Sequence, residues 1–157
     1  MNELDRLHQA EAELAVARER YKKFEREQMQ QQLREFNQKG RAAKELFESL
    51  DKQFHEAEEA VTLAQADLEL AESRIARHNR PLLTEFPTDE ETAEWEREHA
   101  RLVARSQRAQ VRATDAQVNR EAIRMKLLQA HQEMRAYQSA VVQITNRLEQ
   151  FAAGGPV

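Results

Sequence analysis

The fold is decided by residues 95–151, which read WEREHARLVARSQRAQVRATDAQVNREAIRMKLLQAHQEMRAYQSAVVQITNRLEQF. Within this stretch, positions spaced alternately four and three residues apart are apolar or small, with only three clearly polar exceptions. They are Trp95, His99, Leu102, Ser106, Ala109, Ala113, Ala116, Arg120, Ile123, Leu127, Ala130, Met134, Tyr137, Val141, Ile144, Leu148 and Phe151. A run of about eight heptads predicts a long helix that buries one narrow seam against a partner helix.

The first half of the chain also repeats in heptads, but in two registers. An opening stripe ends at Phe24 and the next apolar position is Met29, so the step of five residues is a one-residue slip. A slip of this kind rewinds a coiled coil locally rather than ending it. The opening stripe is Leu7, Ala10, Leu14, Ala17, Tyr21 and Phe24, and the second set is Met29, Leu33, Phe36, Gly40, Ala43, Phe47, Leu50, Phe54, Ala57, Val61, Ala64, Leu68, Ala71 and Ile75.

One clear turn separates the two heptad stretches. Pro81 disfavours a helical conformation at Arg80, and Thr88 to Glu91 reads as a capping box with acidic residues in the first helical turn. These signals predict a first long helix over 1–79, a hairpin turn over 80–88, a second long helix over 89–151 and a disordered tail over 152–157.

The sequence therefore predicts an all-α fold, a long antiparallel two-helix coiled-coil hairpin. If the turn is centred near residue 85, Gly40 faces Ala130 and Phe36 faces Met134. The alternative is a three-helix bundle with a break at Gly40, because a glycine inside a helix costs about 1 kcal/mol relative to alanine.

Composition agrees with long helices and limits the functional classes. Ala, Glu, Leu, Lys and Arg supply 86 of the 157 residues, and there is no cysteine. The net charge of −4 argues against nucleic acid as the main partner. No signal peptide and no run of about 20 apolar residues are found, so we expect a cytoplasmic chain that does not insert into a membrane.

A basic stripe runs beside the seam of the second helix. It consists of Arg101, Arg105, Arg108 and Arg112. The stripe could follow the phosphates of a nucleic acid. The preferred interpretation is interhelical ion pairing, because residues 51–72 carry seven acidic side chains and only one lysine.

The sequence contains no convincing catalytic, cofactor or metal site. Glu96 and His99 have the spacing of a metal-binding pair, but a di-iron bundle needs a second such motif, and none is present. We interpret His99 as a seam residue. Without a glycine-rich phosphate loop or a catalytic triad pattern, we expect a protein that is not an enzyme.

Two apolar groups are the candidate partner-binding residues. Leu82, Leu83 and Phe86 lie in the predicted turn, where they either cap the coiled coil or dock into another protein. Leu4, Leu7 and Leu14 form an apolar stripe in the first turns, which overhang the second helix and have no assigned partner.

The opening residues 4–14, LDRLHQAEAEL, and the single turn near 80–88 resemble the central-stalk family of flagellar and virulence type III secretion. The resemblance covers the whole chain and is one of pattern and architecture. It implies a stalk that inserts into a hexameric export ATPase, links it to the export gate and handles chaperones. In that family the paired termini enter the ATPase ring, which here would be the N-terminal turns and residues 144–151.

Two other functional classes fit the same pattern. A phage or plasmid scaffold or assembly factor would self-associate beyond a dimer. A nucleic-acid-associated coiled coil would use the basic stripe and bind in a salt-sensitive way. The sequence leaves the oligomeric state open, because the same heptads serve an intramolecular hairpin, a swapped dimer or a larger homo-oligomer.

Overall fold

The computed structural model describes residues 2–79 and 88–154, and in those residues the chain is entirely helical apart from the helix ends. Helix α1 spans Glu3–His78 and helix α2 spans Asp89–Ala152. The two helices form the predicted all-α hairpin. Helix α1 continues through Gly40, so the three-helix alternative is wrong.

Side chains and a glycine close the helix ends. The Asp5 N–H donates to Asn2 Oδ1 at 2.8 Å, and the Glu91 N–H donates to Thr88 Oγ1 at 3.2 Å, as the predicted cap at Thr88 requires. At the other end of α2, Gly154 has a φ of 74° and its N–H donates to the carbonyl of Phe151 at 3.1 Å. A glycine in the left-handed region is a common helix stop.

The predicted element bounds need two corrections. Ala152 still belongs to α2 and is followed by a hydrogen-bonded turn. The left-handed conformation of Gly154 allows its N–H to donate to a carbonyl of the last helical turn. The first helix begins at Glu3 and ends at His78 rather than spanning residues 1–79. Residues 80–87 of the predicted turn and residues 155–157 of the predicted tail lie outside the described residues.

The chain divides into two compact units, which both helices cross. The terminal unit comprises Met1–Phe47 and Ala130–Val157, and the central unit comprises Glu48–Gln129. In both units every predicted seam position from Met29 to Ile75 and from Trp95 to Phe151 is buried or half-buried. The heptad pattern therefore identified the buried faces of both helices correctly.

Aromatic contacts set the register of the terminal unit. The ring of Phe36 lies 6.2 Å from that of Tyr137, and the ring of Phe47 lies 5.4 Å from that of His131. A Cβ added at Gly40 would lie 3.6 Å from Tyr137 Cβ. The predicted register is therefore wrong, since Gly40 faces Tyr137 rather than Ala130. Heptad periodicity is unchanged by a shift of seven residues, so only the fit of the bulky rings distinguishes the two registers.

The core of the central unit consists mainly of small side chains. Its most buried apolar residues are Leu50, Ala57, Val61, Ala71, Leu102, Ala109 and Ala113. Small residues allow two helix backbones to approach closely.

Candidate functional surfaces

The arginine groove is a surface groove of the central unit with a volume of about 600 Å³. It contains the whole predicted basic stripe and one further arginine from α1. Its lining residues are Asp67, Leu70, Ala71 and Arg74 from α1, and Arg101, Leu102, Arg105, Arg108, Ala109 and Arg112 from α2. Five guanidinium groups thus share one groove with a single carboxylate, which gives it a strongly positive character.

Most of these arginines have no acidic partner. Arg101 donates to Glu98 on its own helix at 2.7 Å. Arg105, Arg108 and Arg112 form no ion pair or hydrogen bond with any residue in the described part of the chain. All four ion pairs found there join residues three or four positions apart on one helix.

The expected interhelical pairing between the stripe and residues 51–72 is therefore wrong. Long exposed side chains gain little from pairing across a solvated surface, so water competes effectively with the facing carboxylates. The sequence contained the positive stripe itself. Arg74 could not be assigned to it, because its membership depends on how α1 and α2 are aligned.

The second candidate surface is the free segment, which we define as residues 3–24 of α1. All of its side chains are exposed, and Leu4, Leu7 and Leu14 expose 60%, 55% and 51% of their surface. Tyr21 and Phe24 are exposed to 63% and 57%. The predicted overhang of the N-terminal turns is thus present, and its apolar stripe is exposed along its whole length.

Helix α2 ends at Ala152, close to Arg26, and the one-residue slip also turns the stripe away from the side of α1 that packs against α2. Met29 is the first position of the second heptad set, which faces α2. Four residues before it lies Glu25, which is half-buried, whereas the adjacent Phe24 is exposed. Successive residues of an α-helix are about 100° apart around the axis. The apolar stripe therefore turns away from the side of α1 that packs against α2.

A second groove lies where the free segment meets the last turns of α2. It is lined by Tyr21, Phe24, Glu25, Gln28, Met29, Gln32, Arg147 and Gln150. In the same region Arg26 lies over the ring of Phe151, at 5.7 Å from the ring centroid. A hydrogen bond to Glu25 and its negative charge raise the pKa of Tyr21.

The remaining predicted partner-binding residues, Leu82, Leu83 and Phe86, lie outside the described residues. Three rings stack in the central unit, where α1 ends and α2 begins. Trp95 lies 4.7 Å from His78 and 4.9 Å from His99, measured between ring centroids. The Trp95 Nε1–H donates to the His78 carbonyl, and His78 Nε2 contacts the Trp95 carbonyl, both at 3.1 Å.

Sequence reasoning placed Trp95 and His99 in the seam but missed His78. His78 is a half-buried residue three positions after Ile75, the last position assigned to the first-helix seam, so its spacing could have indicated it. His99 Nδ1 is buried without a hydrogen-bond partner. The stack fastens the last turn of α1 to the second turn of α2.

The described residues were also searched for metal-binding groups and membrane spans. No three His, Asp or Glu side chains come together there in an arrangement that could hold a metal ion. Neither described helix is long and apolar enough to cross a membrane.

Comparison with known proteins gives no relative on which a function could be based. No protein-family model matches the chain, and neither a curated protein nor a solved structure matches it. A functional proposal therefore depends on the two surfaces and on the resemblance of pattern described above.

Proposed function

We propose that this chain is a non-enzymatic interaction protein that binds a protein partner through the free segment. The observation that carries the proposal is the stripe of exposed Leu4, Leu7, Leu14, Tyr21 and Phe24 on a helix that α2 does not cover. An amphipathic helix of this kind binds by placing its apolar face in a groove of its partner. A contiguous apolar surface is a recognised mark of an interaction site.

The partner class that best fits the resemblance is a hexameric export ATPase of type III secretion. A stalk needs a helical hairpin whose terminal end projects into the ATPase ring, and the free segment is the part of the terminal unit available for such insertion. The proposal includes contacts with the export gate or with chaperones elsewhere on the hairpin. It places the chain in the cytoplasm, where the ATPase acts.

The test is a reconstituted ATPase assay with the purified full chain and the export ATPase from the same source. We expect the chain to stimulate ATP hydrolysis, and we expect Leu7→Ser combined with Leu14→Ser to abolish the stimulation. Leu63→Ser is the matched control, because Leu63 is 67% exposed on the same helix but belongs to the central unit. Equal stimulation by the native chain and the double variant would rule out the free segment as the binding surface.

The arginine groove supports a second candidate function, the binding of a polyanion such as nucleic acid. The supporting observation is that Arg105, Arg108 and Arg112 have no acidic partner among the described residues. If four arginines contact phosphates, the slope of log K against log salt concentration should lie between about −3 and −4. A chain that does not bind DNA or RNA at low salt would exclude this function.

A further inference from the structure

The free segment has the features of half of a coiled coil. Asn2 caps its first turn, and its stripe repeats in heptads with Leu7, Leu14 and Tyr21 at position a and Ala10, Ala17 and Phe24 at position d. Most of the stability of a helix in a protein comes from the packing of its amphipathic face, and the apolar face of this segment is exposed. The stripe therefore gains stability from any second helix that covers it.

The charges of the free segment and the residues just after it are unevenly distributed. Residues 3–13 carry four acidic side chains and one basic side chain, a formal charge of −3, whereas residues 14–26 carry five basic and two acidic ones, a charge of +3. An antiparallel copy of the same segment places each negative half against a positive half. A parallel copy places like against like, which is unfavourable.

Side-chain sizes favour the antiparallel pairing as well. In one register, position a of each copy faces position d of the other, so that Leu14 faces Ala17, Tyr21 faces Ala10 and Leu7 faces Phe24. The first two layers each combine a large side chain with a small one, as interdigitated packing requires. A parallel pair would instead stack Ala10 on Ala10 and Ala17 on Ala17.

The flanking positions agree with the same register. In an antiparallel coiled coil, position e faces e and position g faces g, and these pairs select the partner and its orientation. Here Glu11 faces Arg18, Glu13 faces Arg20 and Arg6 faces Glu27. Three of the four flanking pairs in this register are thus of opposite charge, the fourth being Leu4 with Glu25, and the two-fold axis doubles each of them.

We propose that two copies of this chain associate through their free segments as an antiparallel, two-fold symmetric coiled coil in the register in which Leu7 faces Phe24. In this register Glu3 of one copy falls opposite Gln28 of the other, just beyond Arg26, which marks the end of α2. The one-residue slip keeps the second copy on a different side of α1 from α2. This inference goes beyond the proposed function, and an ATPase that binds the same stripe would compete with the dimer.

Disulfide cross-linking of the full chain tests the register directly, because the native chain has no cysteine. The two variants are Leu7→Cys and Phe24→Cys, both at exposed positions where the substitution leaves the rest of the hairpin intact. We expect a covalent dimer under mild oxidation only when the two variants are mixed. Within the proposed dimer, the two copies of residue 7 are about 25 Å apart along the axis, too far for a disulfide.

The matched control is a mixture of Leu63→Cys with Phe24→Cys, which should give no cross-link. A cross-linked dimer of Leu7→Cys alone would show a parallel pair and would overturn the proposal. Absence of any cross-link in the Leu7→Cys and Phe24→Cys mixture would overturn it too.

A charge exchange provides the second test and uses no cysteine. Glu13→Arg or Arg20→Glu alone converts two attractive contacts into repulsive ones, so sedimentation equilibrium should show dimerisation weakened by about tenfold or more. The double variant Glu13→Arg with Arg20→Glu restores opposite charges and should recover the native constant. A double variant as weak as the single ones, or a native chain that stays monomeric, would contradict the pairing. Neither result would decide whether the chain stimulates an export ATPase, because that assay measures a different partner.

Discussion

Replacing Gly40 by alanine should stabilise the hairpin. Gly40 lies inside α1 with a helical backbone, and an added Cβ would lie 3.6 Å from Tyr137 Cβ, an ordinary van der Waals distance. Alanine is favoured over glycine in a helix interior by about 1 kcal/mol. Burial of one methyl group beside Tyr137 adds about 0.5 kcal/mol at most. We therefore expect the free energy of unfolding to rise by about 1 to 1.5 kcal/mol.

The assay is urea unfolding followed by circular dichroism, supported by thermal unfolding. For a chain of this size, each kcal/mol of stability corresponds to about 2–4 °C in Tm. The control is Ala42→Gly, which makes the reverse change at an exposed position of the same helix and should lower stability by about 1 kcal/mol. A Gly40→Ala protein less stable than the native chain would refute the reasoning, because it would mean that the helices cannot tolerate a methyl group at this contact.

Three further predictions concern the seam and the surface. Ile144 is buried, so Ile144→Ala should lower the free energy of unfolding in urea by about 2–5 kcal/mol. Val142 is exposed, so Val142→Ala should change it by less than about 0.5 kcal/mol. Equal losses of stability in the two variants would place the seam elsewhere. Trp95→Phe removes the hydrogen bond to the His78 carbonyl and should cost about 1 kcal/mol, and an unchanged stability would show that this bond contributes nothing. The backbone carbonyl of Asp51 and, to a smaller extent, its carboxylate raise the pKa of His55. The protonated ring therefore stabilises the fold at acidic pH, and this contribution is lost as the pH rises through the raised pKa. Asp51→Asn should lower the His55 pKa, measured by NMR, only in part, and a complete return to the ordinary value would contradict the role of the carbonyl.

The sequence predicts the buried faces of this fold well, because burial on a helix depends on local spacing alone. Each seam residue from Trp95 to Phe151 lies three or four positions from the next, and the structure buries that side of α2 at every one of them. Periodicity does not determine which layer faces which. The register depended on how Phe36 and Gly40 fit Tyr137, a property of the three-dimensional packing.

The surfaces were predictable to different degrees. The exposure of Leu4, Leu7 and Leu14 was predictable, because in an antiparallel hairpin the first heptad stretch is longer than the second and its first turns overhang. Whether Arg105 and Arg108 form ion pairs does not follow from the sequence, because pairing between flexible side chains depends on small differences between solvation and electrostatic attraction. Counting opposite charges on two stretches of sequence therefore overestimated the pairing between them.

The same one-residue slip connects the fold to the proposed function. With an unbroken register, Phe24 would lie on the side of α1 that faces α2, and the apolar stripe would be an extension of the intramolecular seam. The slip instead assigns that side to Glu25 and directs the stripe elsewhere. The side of α1 that packs against α2 therefore does not carry the stripe, which a separate helix or groove can bury. The proposed binding to a second molecule is therefore supported by the direction of the stripe as well as by the length of the free segment.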